Sequence, residues 1–225
     1  MRRFALVSLA VFSPLLSAPA LAQSNIDPNH AFAWGENIGW TNWLHDRPNV
    51  DDGVIIHDAF LEGFAWGENV GWINLGDGTP GGNCSGRPCY VNADDSDFGV
   101  NVSPTGELFG FAWGENVGWI NFDGGALASP SNPARIDQIN CRLRGYVWGE
   151  NVGWINLDDA THYVGAFVLT GDLDGDGVVG LSDLAILLAN YGCTGGNCPG
   201  DVDGDGDVDL TDLSLLLAAY GDSCA

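Results

Sequence analysis

Phe32-Ala33-Trp34-Gly35-Glu36-Asn37-Ile38-Gly39-Trp40 decides the fold, because the chain repeats it three more times, at residues 64–72, 111–119 and 146–154. Each copy continues with Thr or Ile, then Asn, then a large apolar residue; eight of the nine Trp lie in the copies, and Trp43 fills the large apolar place after the first. Aromatic and β-branched residues flank Gly-Glu-Asn-Ile/Val-Gly, where two glycines and an Asn supply the positive φ values of a tight reversal. Each copy therefore predicts a β-hairpin whose two Trp face each other across the strands.

Working outward, a further strand is expected before each later copy, at residues 54–56, 98–102 and 134–138, with short turns at 57–58, 103–106 and 139–140. Each unit is then a three-stranded antiparallel meander. Helix signals are absent before residue 180, so residues 24–169 read as all-β antiparallel meander repeats, stacked or closed. The simplest reading of the repeated Trp is a repeating core. The sharper one leaves some indole faces exposed to stack on sugar rings, aided by Glu36, Glu68, Glu115 and Glu150. An active site is assembled once from different residues, so four copies speak for architecture or multivalent binding, and no catalytic residue is assigned. A pair of carboxylates for glycoside hydrolysis finds no singular position. The copies resemble a W-x-E-N-x-G-W repeat of exported bacterial proteins, a resemblance that brings no activity with it.

The last part of the chain changes character. Asp172-Leu-Asp174-Gly-Asp176-Gly-Val178-Val-Gly180-Leu-Ser-Asp183 is followed by Asp201-Val-Asp203-Gly-Asp205-Gly-Asp207-Val-Asp209-Leu-Thr-Asp212. Both place acids at positions 1, 3, 5 and 12 and glycine at 6. Calcium, a hard ion, takes six to eight oxygens, and this spacing lets carboxylates converge as the chain wraps it. The expected ligands are Asp172, Asp174, Asp176, the Val178 carbonyl and Asp183 in loop one. In loop two they are Asp201, Asp203, Asp205, the Asp207 carbonyl, Asp209 (through water) and Asp212. Gly180 offers no side chain where Asp209 stands, so loop one should hold its ion less firmly. Each loop runs into a short helix with one apolar stripe: Leu184, Leu187, Leu188 and Tyr191, then Leu213, Leu216, Leu217 and Tyr220.

The N-terminus reads as a secretory signal peptide over residues 1–22: Arg2 and Arg3, an apolar run, then Ala20-Leu21-Ala22. A secreted protein, extracellular or at the cell surface, is expected, with no membrane insertion. The formal charge is −23, and removing Arg2 and Arg3 makes it −25. No Lys occurs, and no Arg follows Arg144; such a surface repels nucleic acid and anionic lipid. Six Cys in an exported chain favour disulfides. Cys84–Cys89 and Cys193–Cys198 could close small loops, leaving Cys141 and Cys224; a Cys198–Cys224 bridge is equally sensible. The scattered His30, His45, His57 and His162 give zinc no pairing.

The duplicated loop and helix, with Asp at position 12 and no helix before the first loop, resembles a type I dockerin. That family plugs polysaccharide-degrading enzymes into cohesin domains. The resemblance implies a small all-α, EF-hand-like module over residues 171–225 that binds two Ca²⁺. It also implies a cohesin-like partner met by positions 10 and 11, here Leu181, Ser182, Leu210 and Thr211. The expected fold class is thus multidomain, and the expected function is calcium-dependent protein–protein attachment. The β-repeat module would be non-catalytic, with a carbohydrate as its possible ligand. The alternative is a dockerin-bearing polysaccharide-degrading enzyme of glycosyl-hydrolase type.

Overall fold

In every copy an aromatic residue, a small one, Trp and Gly follow each other, and a strand sends alternate side chains to opposite faces. The computed structural model, which describes residues 24–44, 53–195 and 198–224, turns that alternation into a closed sheet. The expected signal peptide lies outside the described residues. In chain order the strands are β1 (Ile26–Gly35), β2 (Gly39–Asn42), β3 (Ile55–Ile56), β4 (Leu61–Gly67), β5 (Gly71–Gly76), β6 (Gly82–Cys84), β7 (Arg87–Cys89) and β8 (Val100–Val102). There follow β9 (Leu108–Gly114), β10 (Gly118–Asn121), β11 (Arg135–Asp137), β12 (Arg142–Arg144), β13 (Tyr146–Gly149), β14 (Gly153–Asn156) and β15 (Val164–Ala166), then helices α1 (Leu181–Ala189) and α2 (Leu210–Ala218).

The four copies form the hairpins β1–β2, β4–β5, β9–β10 and β13–β14. Neighbouring hairpins pair through β2–β4, β5–β9 and β10–β13, and β14 returns to β1. Eight strands thus close into an antiparallel barrel. The two Trp of each copy do stand opposite each other, as Trp34↔Trp40, Trp66↔Trp72, Trp113↔Trp119 and Trp148↔Trp154. Their face, however, is the outside, where Trp34, Trp40, Trp119 and Trp148 are 37–40% exposed. The interior is filled by Ala33, Ala65, Ala112 and Val147 opposite Thr41, Ile73, Ile120 and Ile155, with Trp43, Leu75, Phe122 and Leu157 completing it. An eight-stranded barrel is only wide enough for its side chains to fill. Small and branched residues fit there and eight indoles do not, so the core reading of the Trp holds for Trp43 alone. A void of only about 20 Å³ remains among these side chains.

The turns use their residues in the same way four times. A Cβ on Gly35, Gly67, Gly114 or Gly149 would lie 2.5 Å from the branched side chain of Ile38, Val70, Val117 or Val152, which folds back over the barrel end. The turn amides clasp the neighbouring hairpins. Asn37 donates to the Val152 carbonyl, Asn69 to Ile38, Asn116 to Val70 and Asn151 to Val117, at 3.0–3.1 Å, so the hydrogen bonds run once around the rim.

At the opposite end, β3 pairs with the start of β4 and β8 with the start of β9, as expected of strands before the hairpins. The strand before the fourth copy does the same: β11 pairs with β12, which leads through Gly145 into β13, and β12 also pairs with β15, which lies beside β1. The ribbon β6–β7 stands apart, closed by Cys84–Cys89.

The expectation of a multidomain chain ending in an all-α module is overturned. The described residues are mostly β, and the two α-helices among them are nine residues each. Their own core is small, comprising Val179, Leu187, Cys198, Val208 and Leu216. Leu169, Leu173 and Val202 pack against this cluster and, with Leu215, line a cavity shared with Val102 and Ile136 at the barrel base. Cys141–Cys224 ties the β11–β12 turn to the end of the chain, and Cys193–Cys198 closes a short loop. The Cys198–Cys224 alternative is not adopted. A core this small cannot stand alone, which is the physical reason the tail is built onto the barrel.

Candidate functional site

Four glycines at positive φ shape the aspartate loops: Gly175 (+74°) and Gly177 (+82°) in the first, Gly204 (+75°) and Gly206 (+98°) in the second. These turns point backbone N–H groups at the carboxylates. Asp172 accepts from Gly175 and Gly177 at 2.8 and 2.9 Å, and Asp201 accepts from Gly204 and Gly206 at 2.7 and 2.9 Å. Position 12 is the anchor. Asp183 and Asp212 are fully buried at the starts of α1 and α2. Asp183 accepts from Leu173, Asp174 and Gly180 at 2.7, 3.2 and 2.7 Å. Asp212 repeats this with Val202, Asp203 and Asp209 at 2.6, 3.2 and 2.7 Å.

These anchors make the acids converge. Ligand oxygens of Asp172, Asp174 and Asp183 lie within 4.8 Å of one another, and so do those of Asp201, Asp203 and Asp212. Both clusters could hold a metal ion. Asp176 and Asp205, expected at position 5, stand outside these groups, each accepting from the peptide N–H two residues on, at 2.9 and 3.0 Å. Val178, expected to offer its carbonyl, forms an antiparallel bridge with Ser223.

Loop two holds more than sequence reasoning assigns to it. Asp207 and Asp209 form a third, overlapping group with Asp212. One oxygen of Asp207 is buried without a hydrogen-bond partner. The signal is present in Asp207-Val-Asp209, but the position-7 rule points to the carbonyl instead of the side chain. Loop one has Val178 and Gly180 at these places and cannot form such a group. Asp209 also caps α2, accepting from Thr211 N–H at 2.6 Å.

The surroundings disfavour charge on several of these carboxylates. Desolvation, then the neighbouring Asp183 and Asp176, push the Asp172 carboxyl up despite its two backbone donors. Desolvation and the surrounding carboxylates likewise raise Asp203 and Asp207. Asp183 goes the other way: burial pushes it up, but the N–H groups of Gly180, Leu173 and Asp174 outweigh that and hold it below the usual range. Arg87, on β7, reaches loop two from the barrel, its Nε 3.2 Å from where a Cβ on Gly204 would sit. It also donates to the Asp58 carbonyl. Nothing in the sequence spacing marks this contact, which depends on the tail being seated on the barrel.

The expected partner-facing residues are open to solvent: Leu181 and Leu210 are 74% and 67% exposed, and Ser182 and Thr211 are exposed beside them. The apolar stripe of each helix is divided. Leu187 and Leu216 are buried, while Leu188, Tyr191, Leu217 and Tyr220 are 45–54% exposed. The two helices therefore present equivalent apolar edges, related by the duplication. Glu36, Glu68, Glu115 and Glu150 project from the barrel turns, exposed, and among the described residues they join no site with the aspartates. In comparisons with family models, curated proteins and solved structures, nothing matches this chain.

Proposed function

We propose that this is a secreted protein that binds two Ca²⁺ through its aspartate loops and attaches, in a calcium-dependent way, to a cohesin-like protein domain. The observation that carries the reading is the duplicated exposure at the helix starts, Leu181-Ser182 and Leu210-Thr211, each directly beside a buried ligand-type aspartate. An ion bound to Asp183 or Asp212 would fix the first turn of the helix that presents those residues, which couples calcium to attachment. Three disulfides are compatible with an extracellular setting. The barrel acts without catalysis in this reading, and its outward Trp support carbohydrate as its ligand, since an exposed indole offers a flat apolar face with a polar edge.

Titration calorimetry of the full chain against a panel of cohesin domains, with calcium and with chelator, tests the attachment. Binding in calcium that disappears with chelator, and with Leu181→Asp combined with Leu210→Asp, is the expected result. Binding indifferent to calcium, or to that double substitution, would refute the reading.

A further inference from the structure

The segment before the third hairpin departs from the fourfold pattern of the barrel. Residues 91–98 fold into a closed loop. Asn92 N–H donates to the Asp97 carbonyl at 2.9 Å, and the Asp97 carboxylate accepts from Val91 at 3.0 Å and Gly81 at 3.3 Å. The Asn92 side chain accepts from Gly99 at 3.1 Å, seating the loop on the barrel wall. Phe98 then meets Trp119 edge-on, with centroids 5.1 Å apart, and Phe111 meets the same indole at 6.0 Å. A cleft of about 430 Å³ results, with an aromatic floor and with Asp94, Asp95 and Asn92 in its wall. Small-molecule sites are commonly ~300–1,000 Å³ in volume, mostly apolar, with a few placed polar groups.

The matching position in the first copy has a different neighbour: the ring of Trp40 meets His162, tilted, with centroids 4.7 Å apart. Trp119 is 40% exposed. The wall beside it is acceptor-rich. Asp94 uses one oxygen to accept from the N–H and hydroxyl of Ser96, at 2.9 and 2.6 Å, and Asp95 is exposed. Carboxylates only accept hydrogen bonds, so the matching ligand brings donors. Among the described residues no cationic side chain lines the cleft, and carboxylates repel a ligand of their own sign. A ligand that fits such a cleft has an apolar face, hydrogen-bond donors at its edge and no acidic groups.

We propose that this cleft binds a neutral pyranose unit of a polysaccharide, its C–H face on Trp119 and its hydroxyls donating to Asp94 and Asp95. The proposal rests on the reading of the barrel as the carbohydrate-facing part of the protein, and it singles out one of the four hairpins as the site. Residues 92–95 and Phe98 supply its wall.

The test is titration calorimetry of the full chain, in calcium, with cellohexaose and mannohexaose as neutral probes and an oligogalacturonate as the acidic one. A neutral probe should bind and the acidic one should not. Trp119→Ala should weaken binding about tenfold or more, the weight of one aromatic contact. Asp94→Ala with Asp95→Ala should weaken it about fivefold, through lost charge-assisted hydrogen bonds. Both aspartates are exposed, so the second variant reads the site even if the first folds poorly. Binding of a neutral probe that neither variant weakens would overturn the cleft and leave a carbohydrate-binding barrel standing. Equal binding of the acidic probe would also overturn the cleft. No binding of either neutral probe by the unmodified chain would remove both proposals.

Discussion

The barrel and the tail are both made by repetition, yet they are held together by opposite means. Twenty-seven buried apolar residues form the barrel's core, whereas five form that of the tail. In the barrel each repeat supplies an inward pair at equivalent positions, so closing the ring buries a continuous interior. In the tail each repeat gathers carboxylates instead, and burial together with mutual repulsion raises Asp172 and Asp203. Repetition of apolar residues stabilises by burial. Repetition of acids opposes folding until a cation or a covalent tie offsets it.

Chelation should therefore separate the two regions most sharply. An ion at about a thousand times its Kd contributes about 4 kcal/mol to the state that binds it, and the tail has two such loops. We expect EDTA to abolish the helical circular dichroism of α1 and α2 while the near-ultraviolet signal of the barrel Trp persists. A helical signal indifferent to EDTA would show that the tail stands without metal; loss of both signals would show that the barrel depends on it.

The Cys141–Cys224 bridge spans 83 residues and holds the tail to the barrel base. On the loop-closure model such a tie contributes about 4.5 kcal/mol, shared over everything it encloses. Replacing both cysteines by Ser should move the tail's urea transition to lower concentration and leave the Trp-emission transition of the barrel near its original midpoint. One coincident transition in the variant would mean that barrel and tail unfold as a single unit even without the bridge.

The hairpins are legible in the sequence because the turn chemistry is local: Gly-Glu-Asn-Val-Gly sets the reversal and places Trp113 opposite Trp119 within one copy. Closure is not, because it depends on partners such as Ile73↔Gly114 and Thr41↔Gly67, which nothing in one hairpin specifies. Hydrophobicity also points to the wrong side of the sheet. It sends the indoles inward, but Ala33, Ala65 and Ala112 on the other face mark that face as the crowded one, since only small residues suit a narrow interior. Among the metal residues, the anchors Asp183 and Asp212 and their partners at positions 1 and 3 follow from spacing. Asp176 and Asp205 do not join them, although spacing marks them equally. The tail reads as a separate helical module because the contacts that seat it, Arg87 at Gly204 and Leu173 at the barrel base, lie far off in sequence.

Inside the barrel the comparison turns on a steric fit at the hairpin turns. Gly114 has no positive φ, so its need for glycine comes from Val117 alone, whose Cγ2 lies 2.5 Å from the place a Cβ would occupy. Gly114→Ala should cost about 2 kcal/mol as overpacking, seen as a lower barrel midpoint in urea with the tail unaffected. Adding Val117→Ala should recover part of that loss. Full additivity of the two changes would mean that the contact does not carry the constraint.

The smallest effect tests how equal the four repeats are. Asn37, Asn69, Asn116 and Asn151 each donate one hydrogen bond to the neighbouring turn, over a spread of only 3.0–3.1 Å. Removing any one by substitution to Ala should cost about 1 kcal/mol, the usual net worth of such a bond. Four nearly equal losses are expected in urea unfolding, because each bond spans the same kind of junction between adjacent hairpins. The junction between the fourth hairpin and the first is the discriminating one. There Asn37 bonds across the seam where β14 meets β1, the hairpin junction that joins residues farthest apart in sequence. A seam that closed only loosely would make Asn37→Ala nearly free while the other three kept their cost. Equal cost at Asn37 instead means that the last pairing is as tight as the local ones, and that the barrel is a closed ring rather than a curled sheet.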